Sequence, residues 1–204
     1  MAAVPDNEAL LQEYLKQLAC TPHNTKQLFA VGMVGLVGSG KSTVATELAR
    51  RCNLFITRND AIRRFLNAKG LAGDHPAQQT LEYIAESTGK WLYAHKVSHV
   101  IDADLLKFSE LARQNAVAGQ ARFYLIKLEC PDTIIRERIL LRAKQVQQGS
   151  DNDSRADISE YERRKAIFEA SVQPEYDFVV RTDQPLDAQL DIFCVRLKND
   201  GVIR

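Results

Sequence analysis

Residues Leu28 to Cys52 read LFAVGMVGLVGSGKSTVATELARRC, and the fold follows from how that run divides. Its first part, LFAVGMVG (Leu28 to Gly35), is a short apolar run of strand length that ends in glycines. Its last part, Lys41 to Arg51, places Val44, Ala45, Leu48 and Ala49 on one face of a helix. Between them GLVGSGKS (Gly35 to Ser42) fits the pattern G-x-x-x-x-G-K-[ST] in the strand–turn–helix setting that the pattern requires. Glycines at 35, 38 and 40 let the main chain curl until successive N–H groups face phosphate oxygens. Lys41 is then expected to reach the β- and γ-phosphates, Ser42 to ligate Mg²⁺, and the helix N-terminus to add its positive end. The expected cradle is Gly35, Val37, Gly38, Ser39, Gly40, Lys41, Ser42 and Thr43, with ATP and Mg²⁺ as its ligands.

Outward from this run, strands and helices alternate. On the N-terminal side, Leu10, Leu11, Tyr14, Leu15 and Leu18 make an apolar stripe on a helix from Asp6 to about Cys20, followed by a turn at Thr21 to Thr25. On the C-terminal side come a strand at Leu54 to Thr57, a helix from Asn59 or Asp60, a turn LAGDHP, and a helix from Pro76 to about His95. The spacing predicts further strands at Val97 to Asp102, Arg122 to Glu129 and Phe178 to Arg181. Helices are expected at Leu105 to Ala118, Pro131 to about Gln148, Ile158 to Ala170 and Asp187 to Lys198, with the small polar stretch Gly149 to Asp157 as a mobile loop. The pattern is an α/β fold around a five-stranded, mostly parallel sheet. Residues 1–25 read as a helical extension, and 26–204 as one nucleotide-binding domain whose lid lies at about 138–160.

Composition narrows the function. With 204 residues the chain is long enough for a single core without disulfide or metal staples. The 27 basic and 26 acidic side chains leave a net charge of +1, which does not favour nucleic acid as a partner held by charge alone. No apolar run reaches membrane-span length, and MAAVPDNEALLQEYL lacks the basic-then-apolar order of a secretory signal. The four cysteines, at positions 20, 52, 130 and 194, form no CxxC pair, and the four histidines show no HxxxH or HExxH spacing. Reduced, buried thiols in a cytoplasmic protein are the expectation.

In an open α/β sheet, ligands sit at the carboxyl ends of the strands, so those ends name the remaining candidates. Asp60 follows the second strand in ITRNDAIRRFL, placed to accept the proton of an attacking hydroxyl, and Arg63 stands one helical turn on, placed to hold an acceptor anion. The competing reading makes Asn59 or Asp60 a helix cap with Arg63 as its solvated neighbour. Asp102 ends VSHVIDAD like a Walker B carboxylate, a second Mg²⁺ ligand beside Ser42. Ala103 follows it where motor ATPases carry a water-activating glutamate, which favours transfer to a bound acceptor over hydrolysis; Asp104 is either a substitute for that glutamate or a cap on the next helix. In the helix from Pro131, the apolar sector of Ile134, Ile135, Ile139, Leu141 and Val146 also contains Arg138 and Arg142. An inward guanidinium needs an anionic partner, either polyphosphate or an internal acid. Arg155 in the following loop is either a lid contact or a solvated side chain.

With these residues in place, the sequence resembles the small P-loop kinases related to bacteriophage polynucleotide kinase and to the zeta-toxin and chloramphenicol phosphotransferase enzymes. The resemblance runs from about Leu28 to about Val180 and rests on GLVGSGKS, NDAIR, VIDAD and PDTIIRERILLR. It implies a three-layer P-loop NTPase fold in kinase-like strand order with a small helical lid. It also implies that Asp60 is the general base, that Arg63 contacts the acceptor, and that Arg138 and Arg142 contact phosphates. The segment SRADISEYERRKAIFE resembles the stretch after the lid in members of that group. The N-terminal helix lies outside the minimal pattern, and no phosphatase domain is expected after the kinase-like region. The implied activity is transfer of the γ-phosphate of Mg·ATP to a hydroxyl acceptor, a small molecule or a nucleic acid 5′-hydroxyl. The alternative is a regulatory ATPase of slow turnover with a protein partner. A GTPase is disfavoured, because Leu197 to Asp200 reads LKND rather than NKxD.

Overall fold

The computed structural model describes residues 6–20, 25–71, 75–147 and 157–204. The strands are β1 (Phe29–Val34), β2 (Phe55–Arg58), β3 (His99–Asp104), β4 (Arg122–Glu129) and β5 (Phe178–Arg181). The helices are α1 (Asn7–Leu15), α2 (Lys41–Cys52), α3 (Asn59–Ala68), α4 (His75–Ala94), α5 (Ser109–Ala118), α6 (Asp132–Gln147), α7 (Ile158–Ala170) and α8 (Leu186–Asn199). The sheet order is β2-β3-β1-β4-β5, and every neighbouring pair is parallel, so the sheet expected to be mostly parallel is wholly so. All residues of the central strand β1 are buried, as a parallel strand covered on both faces requires.

One face of the sheet packs against α2 and α8, where Phe29, Val31 and Val100 meet Leu48, Phe193 and Leu197. The other face packs against α5 and the end of α4, where Ala30, Val34 and Leu125 meet Ala116 and Tyr93. The leucine stripe at the N-terminus closes on α3 and α4: Leu11, Tyr14 and Leu15 cluster with Ile62, Phe65, Leu66, Leu81 and Ile84. Asp6 caps α1 by accepting from the N–H groups of Glu8 and Ala9 at 3.1 Å. The helix stops at Leu15, short of the expected Cys20, although Leu18 still packs on the same cluster.

Two other boundaries move for local reasons. β3 continues past Asp102 to Asp104, and the helix expected at Leu105 begins only at Ser109. The Leu105 N–H is committed to the Met33 carbonyl at 2.9 Å and the Leu106 N–H to the Asp104 carboxylate at 3.3 Å, so the chain turns before it coils. In α6 the buried seam is narrower than the expected sector. Ile135 and Ile139 pack with Tyr161 of α7 and with Leu36 and Val37, whereas Leu141 is 58 % exposed. The side chain of Val146, most of the turn at Thr21 to Thr25, and the expected loop at Gly149 to Asp157 except Asp157, with Arg155 in it, lie outside the described residues.

Candidate active site

The β1–α2 turn adopts its conformation because of glycine. Gly38 has φ +81° and Gly40 φ +96°, in the left-handed region where a Cβ is strained. A Cβ at Gly40 would also meet the Thr182 side chain at 3.3 Å, and one at Gly38 would meet Ile135 at 3.1 Å. Gly40 is the N-cap of α2 and supplies no side-chain acceptor, so the first N–H groups of that helix are left to receive an anion.

Lys41 opens α2 and folds back over the turn, donating to the carbonyls of Gly35 at 2.6 Å and Leu36 at 2.9 Å. Burial pushes its ammonium down to about 8. Asp104 and Asp102 push in the opposite sense, while the charges of Arg164 and Arg142 add to the depression. Four cationic and anionic side chains from β3, α6 and α7 thus bear on one ammonium. Arg164, held by Glu160 at 2.6 Å, was not among the residues expected at this site. Its only trace in the sequence was membership of the ERR run after the lid.

Ser42 donates to Asp102 Oδ1 at 3.1 Å, and the Asp102 side chain is only 8 % exposed. Burial raises the Asp102 carboxyl above its ordinary range, and the Ser42 hydrogen bond with the charges of Arg58 and Lys41 opposes that rise. A hydroxyl and a low-exposure carboxylate at one point make a hard-oxygen pair of the kind that suits Mg²⁺. Arg58 Nε stands 3.4 Å from the other carboxylate oxygen. That arginine was also missed. The pairing of Arg58 with Asp102 in the β2–β3 register brings them together, and register is not visible until the sheet order is known.

Asp60 and Arg63 lie in the first turn and a half of α3 and form an ion pair, both side chains about half exposed. The cap reading does not hold: the N-cap of α3 is Arg58, without a side-chain cap bond. β2 leads directly into α3 and pairs in parallel with β3 through Arg58 and Asp102, so Asp60 and Asp102 stand at the same, carboxyl, end of the sheet.

Arg138 has partners of a kind not anticipated. Its guanidinium donates to Thr182 O at 2.6 Å, Thr182 Oγ1 at 3.1 Å and Gly38 O at 3.4 Å, none of them acidic. Thr182 Oγ1 in turn donates to Ser39 O at 2.7 Å. The turn after β5, α6 and the cradle are therefore joined through one arginine and one threonine, while Arg142, one turn further along α6, bears on Lys41 by charge.

This architecture agrees with the proteins that the chain is similar to. A family model described as an AAA domain matches residues 31–170. No curated protein matches the sequence significantly. Among solved structures, the Mycobacterium tuberculosis APS kinase in complex with AMPPNP and APS is 20% identical, with a TM-score of 0.58 over 87% of this chain and 99% of that one. A structure from the PezAT toxin–antitoxin system of Streptococcus pneumoniae is 16% identical, with a TM-score of 0.62 over 90% of this chain and 80% of that one. A gluconokinase from Sinorhizobium meliloti is 18% identical, with a TM-score of 0.57 over 86% and 95%. Identities this low establish the shared fold. With most of its length matched by the family model and a phosphate cradle at its centre, the chain belongs to the AAA-domain family of P-loop NTPases, in the fold of the small P-loop kinases.

Proposed function

We propose that this protein is a kinase that transfers the γ-phosphoryl group of ATP to a hydroxyl acceptor. The observation that carries the reading is the convergence at one sheet edge of the Lys41 cradle, the Ser42–Asp102 pair and the exposed Asp60–Arg63 pair. The cradle, Gly35 and Val37 to Thr43, receives the polyphosphate on main-chain N–H groups. Lys41 leaves the carbonyls of Gly35 and Leu36 for the phosphates, and Arg138 and Arg142 balance charge on the transferring group. Ser42 and Asp102 would hold Mg²⁺, which would supply neutralisation of the polyphosphate charge. Asp60 takes the acceptor hydroxyl's proton as its oxygen forms the new bond to phosphorus, and Arg63 orients that acceptor. The products are ADP, the phosphate ester and one proton.

The likeness to an APS kinase and a gluconokinase supports a small hydroxyl compound as acceptor, and the net charge of +1 gives no broad footprint for a nucleic acid 5′-hydroxyl. Residues 26–204 make up the kinase unit in this reading. Residues 1–25 are its extension, and α1 packs the extension against α3 and α4 beside the acceptor edge. No described helix is long and apolar enough to cross a membrane. A cytoplasmic place belongs to the proposal, since reduced thiols persist there.

Asp60→Asn tests the assignment. Acceptor phosphorylation should fall by about a thousandfold, the range of general-base loss, while ATP binding measured by calorimetry is retained. Full turnover in that variant removes Asp60 from the mechanism. An ATPase rate in the wild type that stays slow and flat across a panel of hydroxyl compounds replaces the kinase with the regulatory ATPase.

A further inference from the structure

Cys52 is the last residue of α2, and Cys194 lies in the second half of α8. In sequence they are 142 positions apart, and the four thiols read as independent. The packing of α2 on α8 sets their Sγ atoms 3.6 Å apart. The contact lies at the edge of the core formed by Leu48, Phe193 and Leu197. A disulfide would bring the two sulfurs to about 2.05 Å.

The two thiols differ in ways that assign them different parts. Cys52 is 7 % exposed, whereas Cys194 is only partly covered, so an oxidant from solvent meets Cys194 first. Either sulfur can donate in this contact, and the contact with Cys52 holds the Cys194 thiol below its usual range. Burial opposes that shift, Arg51 and Lys198 assist it, and Asp191 opposes it. Lys198 lies one turn beyond Cys194 on α8. Arg51 is itself paired with Glu47, Asp187 and Asp191. A partly exposed thiol with a cationic neighbour and a second thiol in contact is the arrangement of a peroxidatic and resolving pair.

We propose that Cys52 and Cys194 form a redox modification site whose co-reactant is a hydroperoxide. The Cys194 thiolate attacks one peroxide oxygen, the O–O bond breaks, and the departing oxygen takes a proton and leaves as water (or as an alcohol from an organic peroxide). Cys194 is then a sulfenic acid. The Cys52 sulfur attacks it, the S–S bond forms, the S–O bond breaks, and the hydroxyl leaves with the Cys52 proton as water. Two thiols lose two electrons, and one peroxide gains them. The bridge pins the last turn of α2, the helix that Lys41 opens, to α8, the helix that comes after the Thr182 turn. Oxidation thereby fastens together, at their far side, the two elements that meet at the cradle. The site stands on the α2–α8 packing and does not rest on the kinase reading.

Intact mass spectrometry and peptide mapping under non-reducing conditions after treatment of the full chain with hydrogen peroxide test it. The expected product is lighter by two hydrogens, carries a Cys52–Cys194 crosslinked peptide, melts several degrees higher, and reverts with dithiothreitol. In Cys52→Ser the same treatment should leave Cys194 as a sulfenic acid that dimedone traps, and Cys194→Ser should give no crosslink. Should Cys52→Ser fail to fold, Cys52→Ala gives the same reading. The proposal is overturned if both thiols remain alkylatable after peroxide. It is equally overturned if wild-type Cys194 proceeds to sulfinic acid without crosslinking, or if the first thiol oxidised is Cys20 or Cys130.

Discussion

The two halves of the candidate site are built from different material. The cradle is main chain: its geometry comes from Gly38 and Gly40 in left-handed conformations, seated against Ile135 and Thr182. The acceptor edge is side chain: Asp60 and Arg63 are half exposed on the first turns of α3 and are held mainly by each other. A backbone-built half binds a feature common to all nucleoside triphosphates and tolerates little change. A half built from exposed side chains can be retuned one residue at a time without disturbing the core, which is how related folds serve different acceptors.

Breaking the cradle should have the larger effect. Gly40→Ala places a Cβ in a left-handed residue beside Thr182, so ATP affinity should fall by about a hundredfold or more by calorimetry. Asp60→Asn, by contrast, should leave that affinity in place. At the junction of the halves, Asp102→Asn removes the negative charge from the Ser42 pair. The Mg²⁺ concentration required for half-maximal ATP binding should rise by about tenfold or more, with metal-free ATP binding little changed.

A smaller effect is expected from Lys41, whose ammonium is depressed to about 8 in the free protein. Polyphosphate raises it again, so ATP binding above this value takes up a proton. The sign is therefore a weakening of affinity by up to about tenfold per unit as pH rises past 8, checked by calorimetry in buffers of different ionisation heat. The smallest effect concerns the layer beneath the acceptor edge. Burial pushes His99 down from 6.5 to about 4, and its Nε2 has no hydrogen-bond partner among the described residues. The unfolded chain binds this proton more readily, so stability is present above 6.5 and is lost as pH falls toward 4. The loss should be about 1 kcal/mol over the first pH unit below 6.5 in urea titrations, and it should be absent in His99→Phe. An ATP affinity insensitive to Gly40→Ala would erase the contrast between the halves.

The legibility of the fold and site in the sequence divides along the same line. The strand, the glycine turn and the amphipathic start of α2 are local, and GLVGSGKS specifies them within a single stretch of chain. Asp60, Arg63 and Asp102 could be named as candidates because ends of strands are where a parallel sheet collects its ligands. Arg58 could not, because its partner Asp102 is fixed by strand register. Arg138 was read as inward, yet its partners turned out to be carbonyls, a hydroxyl and the Cys130 sulfur, from the cradle, the turn after β5 and the end of β4, contacts that no helix periodicity encodes. Leu141 was placed in the core by angle alone, but α6 has only a narrow seam to bury, so that residue faces solvent.

From the amino-acid order alone came the alternation of strands and helices, the phosphate cradle and the acids at the strand ends. These depend on periodicity and on what glycine, lysine and aspartate do within a few residues of one another. Only the folded chain decided that Arg58 neutralises Asp102, that Arg138 and Thr182 join α6 to the cradle, and that Cys52 touches Cys194. Such contacts join residues far apart in the chain, and which of them form depends on how helices and strands pack once apolar surface is withdrawn from water, information that no local stretch contains.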